Sequence, residues 1–143
     1  MEKQLVINQV LQSLYQVDGT IVAIGALEND GNGSNAGHVR VYKNNSGSWT
    51  QLGSDIVGEA AGDNSGISVS LSSDGTIVAI GAKYNDGTAS DAGHTRIYQY
   101  SSGSWSQLGS DIDAEAAGDL SGTSVALSSD GTIVAIGAYV NGG

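Results

Sequence analysis

The sequence predicts an all-β protein made of repeated groups of four short antiparallel strands. The first observation is that the segment Asp18–Ala26 recurs unchanged and at constant spacing, at Asp74–Ala82 and at Asp130–Ala138. The second is that the repeat contains alternating and β-branched apolar runs but no helical period. A fixed period of this kind indicates one supersecondary unit repeated in tandem.

The repeat extends well beyond this shared segment. Residues 18–56 and 74–112 are identical at 28 of 39 positions without a gap. Residues 57–87 and 113–143 are identical at 23 of 31 positions, again without a gap. The chain of 143 residues therefore holds about two and a half units.

Each unit reads as four strands. The alternating run Ile67–Ser72 predicts a half-buried first strand. Asp74-Gly75 predicts a tight hairpin, and the apolar run Thr76–Ala82 predicts a second strand that is covered on both faces. A polar, glycine-rich loop leads to a third strand at His94–Tyr100, and a fourth strand begins within Ser104–Gly109.

Four antiparallel strands per unit, at a period above about 40 residues, predict the blades of a β-propeller. Propellers have about four to eight blades, so two and a half units predict an incomplete ring in one chain. The predicted division is a divergent N-terminal strand or cap at 1–17, the remainder of blade 1 at 18–56, blade 2 at 57–112 and the first half of blade 3 at 113–143.

The two ends of the chain leave alternatives open. The N-terminal apolar residues suit a divergent strand or cap, and a short amphipathic helix over residues 3–14 is the alternative. The incomplete ring has three explanations: a longer array, a ring completed by several copies, or an open filament of copies. Every copy carries the same half unit of first and second strands, so simple pairing of halves does not supply a third and a fourth strand.

Composition excludes several classes of protein. Lys and Arg number 5 against 15 Asp and Glu, and the net charge is -10, so the acidic chain lacks the basic patch that a nucleic-acid-binding protein needs. No apolar run is long enough for membrane insertion, and Met1–Gln16 has no signal-peptide pattern. The absence of Cys excludes disulfides and thiolate metal sites.

Three blocks of the repeat carry a family resemblance. They are Gly66–Ala82, Ala92–Tyr98 and Trp105–Gly109, and in this order they resemble the FG-GAP-like repeat of integrin-α-type β-propellers and of bacterial and algal surface proteins. The resemblance implies a cell-surface or extracellular protein used in adhesion or recognition. The calcium loop of many family members is not carried over, because each Asp-Gly turn holds one carboxylate and calcium needs six to eight oxygens.

Two loops are weak candidates for calcium. Asp30 and Asn32 in the first unit, and Asp86 and Asp91 in the second, place oxygen-bearing side chains close together in sequence. Asp, Asn and Gly are also ordinary turn residues, and no bidentate acid completes an EF-hand-like loop. We therefore expect turns at these positions and no cofactor.

The remaining repeated residues are predicted to be structural. The Asp-Gly turns should close the hairpins, the His and Arg side chains should bond acidic loop residues such as Glu59 and Asp63, and the tryptophans should pack between blades or, alternatively, contact a sugar. No catalytic constellation or nucleophile motif occurs. These repeated positions are Asp18, Asp74, Asp130, His38, His94, Arg40, Arg96, Trp49 and Trp105.

The sequence thus predicts a non-enzymatic propeller module for adhesion, recognition or scaffolding, with a protein or glycan ligand or with further blades as partners. The first alternative is a self-associating structural unit that forms a ring or a filament. The second is a hydrolase on a propeller scaffold, for which no converging set of unrepeated polar residues is found.

Overall fold

The computed structural model describes residues 12–142, and these residues form twelve β-strands without any helix. All strand pairs are antiparallel and lie in three sheets, so the all-β prediction is confirmed. Within this range the structure offers no helix of the length and apolarity that a membrane span requires. Residues 12–17 form a strand, and the rest of the N-terminal segment, with most of its helical alternative, lies outside the described residues.

The first two sheets have the same order of strands. In each, four strands follow one another as an antiparallel meander, and a fifth, two-residue strand pairs with the start of the third. The first sheet contains β1 Gln12–Val17, β2 Ile21–Ala26, β3 His38–Asn45, β4 Ser48–Gln51 and β5 Ile56–Val57. The second contains β6 Ser68–Leu71, β7 Ile77–Ala82, β8 His94–Ser101, β9 Ser104–Gln107 and β10 Ile112–Asp113.

The third sheet contains only β11 Ser121–Leu127 and β12 Val134–Ala138. Its strands correspond to the first two strands of the other sheets. The short strands β5 and β10 are not predicted by the sequence, because a strand of two residues has no periodicity to detect.

The hairpin turns show that identical residues form different geometries. Asp18 and Gly19 both have positive φ angles, of 50° and 68°, as expected for a tight primed turn. In the second unit only Gly75 has a positive φ, of 71°. There Asp74 Oδ1 accepts hydrogen bonds from the Ser72 hydroxyl at 2.7 Å and from the Thr76 N–H at 3.0 Å, so the preceding serine determines a wider turn.

The main hydrophobic core lies between the first and second sheets. Each sheet contributes apolar side chains from its inner strands, and Leu52, Tyr98 and Trp105 pack against this cluster. The buried members are Ile21, Ala23, Val39, Val41 and Ile56 of the first sheet with Val69, Leu71, Val78 and Ile80 of the second.

Each sheet is joined to the next by a linker that bonds to the preceding loop through its backbone. We call residues 58–66 the first linker and 114–122 the second linker. Gly58 N–H donates to Gly37 O at 2.8 Å and Ser65 N–H to Ala36 O at 3.0 Å. The second linker repeats both bonds, with donors at positions 114 and 121 and acceptors at 93 and 92.

Close approach at this junction requires glycine. A Cβ atom at Gly37, where φ is +78°, would overlap the backbone of Ser65, and one at Gly81 would overlap the carbonyl oxygen of Gly122. Since backbone cannot move aside as a side-chain tip can, a larger residue must push two sheets apart.

We therefore expect Gly81→Ala to lower the free energy of unfolding by about 2 kcal/mol. Gly137→Ala is the matched control, since it stands at the same position of the third sheet and the three atoms nearest to its Cβ would all belong to Ser124 of its own sheet. We expect the control to cost less than about 1 kcal/mol. Urea denaturation measures both, and equal losses would contradict the close-packed junction.

Candidate functional site

The repeated arginines, their acidic partners and the buried histidines lie together beside the contacts between sheets. In the first sheet, Arg40 donates from Nε to Asp55 Oδ1 at 2.8 Å and from Nη2 to Asp55 Oδ2 at 2.7 Å. Gln51 also donates to Asp55, at 2.8 Å. This bidentate pair is positioned by β3 and by the turn that follows β4.

The second sheet repeats this arrangement and adds a residue from the first linker. Arg96 makes the same two bonds to Asp111, at 2.7 and 2.6 Å, and Gln107 donates at 2.7 Å. The Arg96 Nη2 group also donates to Glu59 Oε2 at 2.8 Å. The arginine therefore joins the second sheet to the linker that enters it.

The sequence-based partners of the arginines are thus corrected. Glu59 does bond Arg96, but the principal partners are Asp55 and Asp111, which sequence reasoning missed. Asp63 instead accepts hydrogen bonds from Ala60 N–H at 3.1 Å and from the Asn85 amide at 2.9 Å. The missed signal was the Gln-x-x-x-Asp spacing at the end of each fourth strand, which recurs with the repeat.

Two carboxyl groups in these clusters are held ionised. The hydrogen bonds from Arg40 lower the pKa of Asp55 from 3.8 to about 2, and those from Arg96 do the same for Asp111. Each effect exceeds the opposing effect of burial. Both carboxylates are therefore negative at neutral pH and act as acceptors, not as proton donors.

The two histidines are buried next to these pairs and are neutral at pH 7. Burial is the main cause of the lowered pKa of His38 and of His94, and the neighbouring arginines lower both further. His94 Nδ1 lies 3.6 Å from Asp111 Oδ2, too far for a hydrogen bond, and has no hydrogen-bond partner among the described residues. No serine or threonine hydroxyl is hydrogen-bonded to either imidazole in the described range.

Glu59, His94 and Asp111 bring potential metal ligands within 4.8 Å of one another. The guanidinium of Arg96 already bonds both carboxylates of this cluster. A metal ion would have to displace a bidentate, charge-assisted pair, so the cluster is suited to joining two segments of protein.

The four weak calcium candidates take part in loop contacts. Asp30 Oδ1 accepts from Asn35 N–H at 2.8 Å, and Asp86 Oδ1 accepts from Asp91 N–H at 2.7 Å. Asn32 donates its side-chain amide to Gly58 O at 2.8 Å, which brings the loop to the first linker. The side chains of Asp30 and Asp86 therefore close their own loops.

The two tryptophans have different surroundings. Trp105 Nε1 donates to Leu52 O at 2.8 Å across the junction, and its ring lies 5.2 Å from that of Tyr100. It also lines an open cleft of about 250 Å³ together with Tyr98 and Asp55. Trp49, at the equivalent position of the first sheet, is 49% exposed.

The acidic partners of the arginines predict a pH dependence. Because the pKa of Asp111 is lower in the folded than in the unfolded chain, its stabilising effect is present above about pH 4 and is lost as the pH falls towards 2. We expect Asp111→Asn to reduce this acid-induced loss by about 1 kcal/mol, allowing for solvent screening. Asp113→Asn is the control, and identical acid profiles for wild type and Asp111→Asn would refute the assignment.

No protein-family model matches this sequence, and no curated protein is significantly similar to it. The likeness to FG-GAP-like repeats thus stays a prediction from the sequence blocks. A function is therefore inferred from the contacts between the sheets and from the exposed side chains.

Proposed function

We propose that the chain is a non-enzymatic β-propeller module of a cell-surface or extracellular protein, in which each four-stranded sheet is one blade. Two features support the blades: the first and second sheets share one order of strands, and their strands fall at equivalent positions of the sequence repeat. The sequence blocks that resemble the FG-GAP-like repeat support the location.

The observation that carries the non-enzymatic part is the use of the repeated polar side chains. Arg40 and Arg96 are committed to bidentate pairs, and Trp105 donates its indole N–H to the first sheet. Side chains that are already engaged in such bonds are not free to act on a substrate. The module therefore acts as a rigid support for its loops.

Four of the positions that differ between units lie at two opposite ends of the second sheet. Lys83 and Tyr84 follow β7 at one end of the second sheet, whereas Gln99 and Tyr100 lie near the opposite end of β8. At the second end Tyr100 packs on Trp105, beside the cleft of about 250 Å³. Partly exposed aromatic groups next to a cleft favour a protein or glycan ligand at this end.

Exchange of residues between units tests this assignment. The double variant Gln99→Lys and Tyr100→Asn gives the second sheet the residues of the first, and we expect it to lower binding to a glycan panel or to intact cells about tenfold or more. The double variant Lys83→Leu and Tyr84→Glu changes the other end in the same manner and should retain binding.

Both double variants should melt close to the wild type, because the exchanged residues already occur in the same fold. Unchanged binding by the Gln99 and Tyr100 variant would exclude the aromatic end as the ligand site. Turnover by the wild type in a panel of glycosidase and phosphodiesterase assays would overturn the non-enzymatic proposal.

Exposed apolar side chains favour the alternative that the chain is a self-associating unit. Ile133 is 69% exposed, and the large apolar side chains of Trp49 and Tyr139 are exposed as well. Apolar side chains in such positions are suited to burial against another copy of the chain.

A further inference from the structure

The third sheet presents an unpaired strand edge. In the described residues β12 pairs only with β11. Ser128 N–H donates to Ile133 O, so the alternation of an antiparallel ladder turns the backbone groups of Val134, Ile136 and Ala138 away from β11. This edge offers hydrogen-bond donors and acceptors to another strand.

The chain itself contains the strand that fits this edge. Asp18–Ala26 and Asp130–Ala138 are identical, so β12 has the same residues as the end of β2. β2 pairs with β3 along its whole length, from Ile21↔Lys43 to Ala26↔His38. The segment from β3 to β5, residues 38–57, is therefore equally suited to pair with β12.

Two of the exposed apolar residues occupy positions that are buried where the first sheet meets the second. Ile133 is 69% exposed, whereas its equivalent Ile21 is 8% exposed and lies against Gly75 of the second sheet. Ile112 is 39% exposed, whereas its equivalent Ile56 is 6% exposed.

The polar contacts at the junction also have matching partners in a second copy. Leu52 O accepts the Trp105 indole, so the equivalent carbonyl, at Leu108, is in position to accept the exposed Trp49 of another copy. Arg96 bonds Glu59 of the first linker, and the equivalent pair across two copies is Arg40 with Glu115. Arg40 is the more exposed of the two arginines, at 43% against 17% for its side chain.

We propose that two copies of this chain associate by strand exchange, in which residues 38–57 of one copy leave their own β2 and pair with β12 of the other. The hybrid sheet then contains β11 and β12 from one copy and β3, β4 and β5 from its neighbour. β11 and β12 of one copy take the place of β1 and β2 of the other, and β12 has the same residues as the corresponding part of β2. The glycine-rich loop at Asp30–Gly33 is the hinge.

In the exchanged state β11 and β12 gain a third, a fourth and a short fifth strand, while β1 and β2 of the copy that supplies these strands leave their sheet. Each chain contributes its own second sheet and half of each of two hybrid sheets, which amounts to two complete four-stranded sheets per chain. The contact is head-to-tail, so it forms a ring if the rotation closes. If the sheets are propeller blades, as proposed above, two to four copies give the usual four to eight blades.

Disulfide trapping tests the exchange, because the chain has no cysteine of its own. In the exchanged state residue 133 of one copy faces residue 43 of the next, in the place of the Ile21↔Lys43 pair. This is a pair without mutual hydrogen bonds, whose short Cα separation suits a disulfide. We expect the variant Lys43→Cys with Ile133→Cys, refolded and oxidised, to form disulfide-linked multimers as its main product.

Two control variants show whether a disulfide between copies reports the proposed strand exchange. Lys43→Cys with Ile21→Cys locks β3 to its own β2 and should give monomers only. Lys43→Cys with Val134→Cys is out of register by one residue, so its side chains point to opposite faces and it should not cross-link.

The mass of the cysteine-free chain is the second measurement. Light scattering after refolding should give two, three or four copies of 14.4 kDa. A strictly monomeric chain, or cross-linking no greater than in the out-of-register control, overturns the exchange. Disulfide-linked chains that extend without closing confirm the exchange and contradict the blade number instead.

Discussion

The contact on which the rest of the structure depends is the backbone pairing of each linker with the loop that precedes it. The linkers each place four N–H donors against four carbonyl oxygens of the preceding loop, and the second linker repeats every bond of the first at the equivalent positions of the next unit. Gly37 and Gly93 make the approach possible, because any Cβ atom there would overlap the linker backbone. The position of every following sheet is set by this contact.

The polar and aromatic residues then follow from this spacing. Once the linker fixes the distance between sheets, Glu59 reaches Arg96 and the Trp105 indole reaches Leu52 O. The bidentate arginine pairs lie within one sheet and orient the guanidinium for its second contact. Partly exposed ion pairs of this kind contribute little energy, so their main effect is to fix the register between sheets.

The fold class and most strands were predictable because the repeat shows each pattern two or three times. The second strand of the second unit forms at Ile77–Ala82 and is buried from Val78 onward, as its apolar run predicts, and the third begins at His94 as expected. The geometry of the turns was not predictable from Asp-Gly alone, since Ser72 changes it. The pairing of Arg40 with Asp55 was missed because the two residues are brought together by a turn without periodicity.

Residues at equivalent positions of the repeat differ in exposure because the first and the third sheets have different neighbours. Ile21 and Ile133 are the same residue type at equivalent positions, and the sheet to which each belongs determines whether its side chain is buried. Assembly of several copies therefore depends on what covers the third sheet.

The most direct test of the central claim is amide hydrogen exchange at the linkers. If the linkers hold the sheets together, the N–H groups of Ser65 and Ser121 should exchange as slowly as those of β7, although they lie at or beyond the ends of regular strands. Rapid exchange at both, with β7 still protected, would contradict the claim that the linker contact orders the sheets.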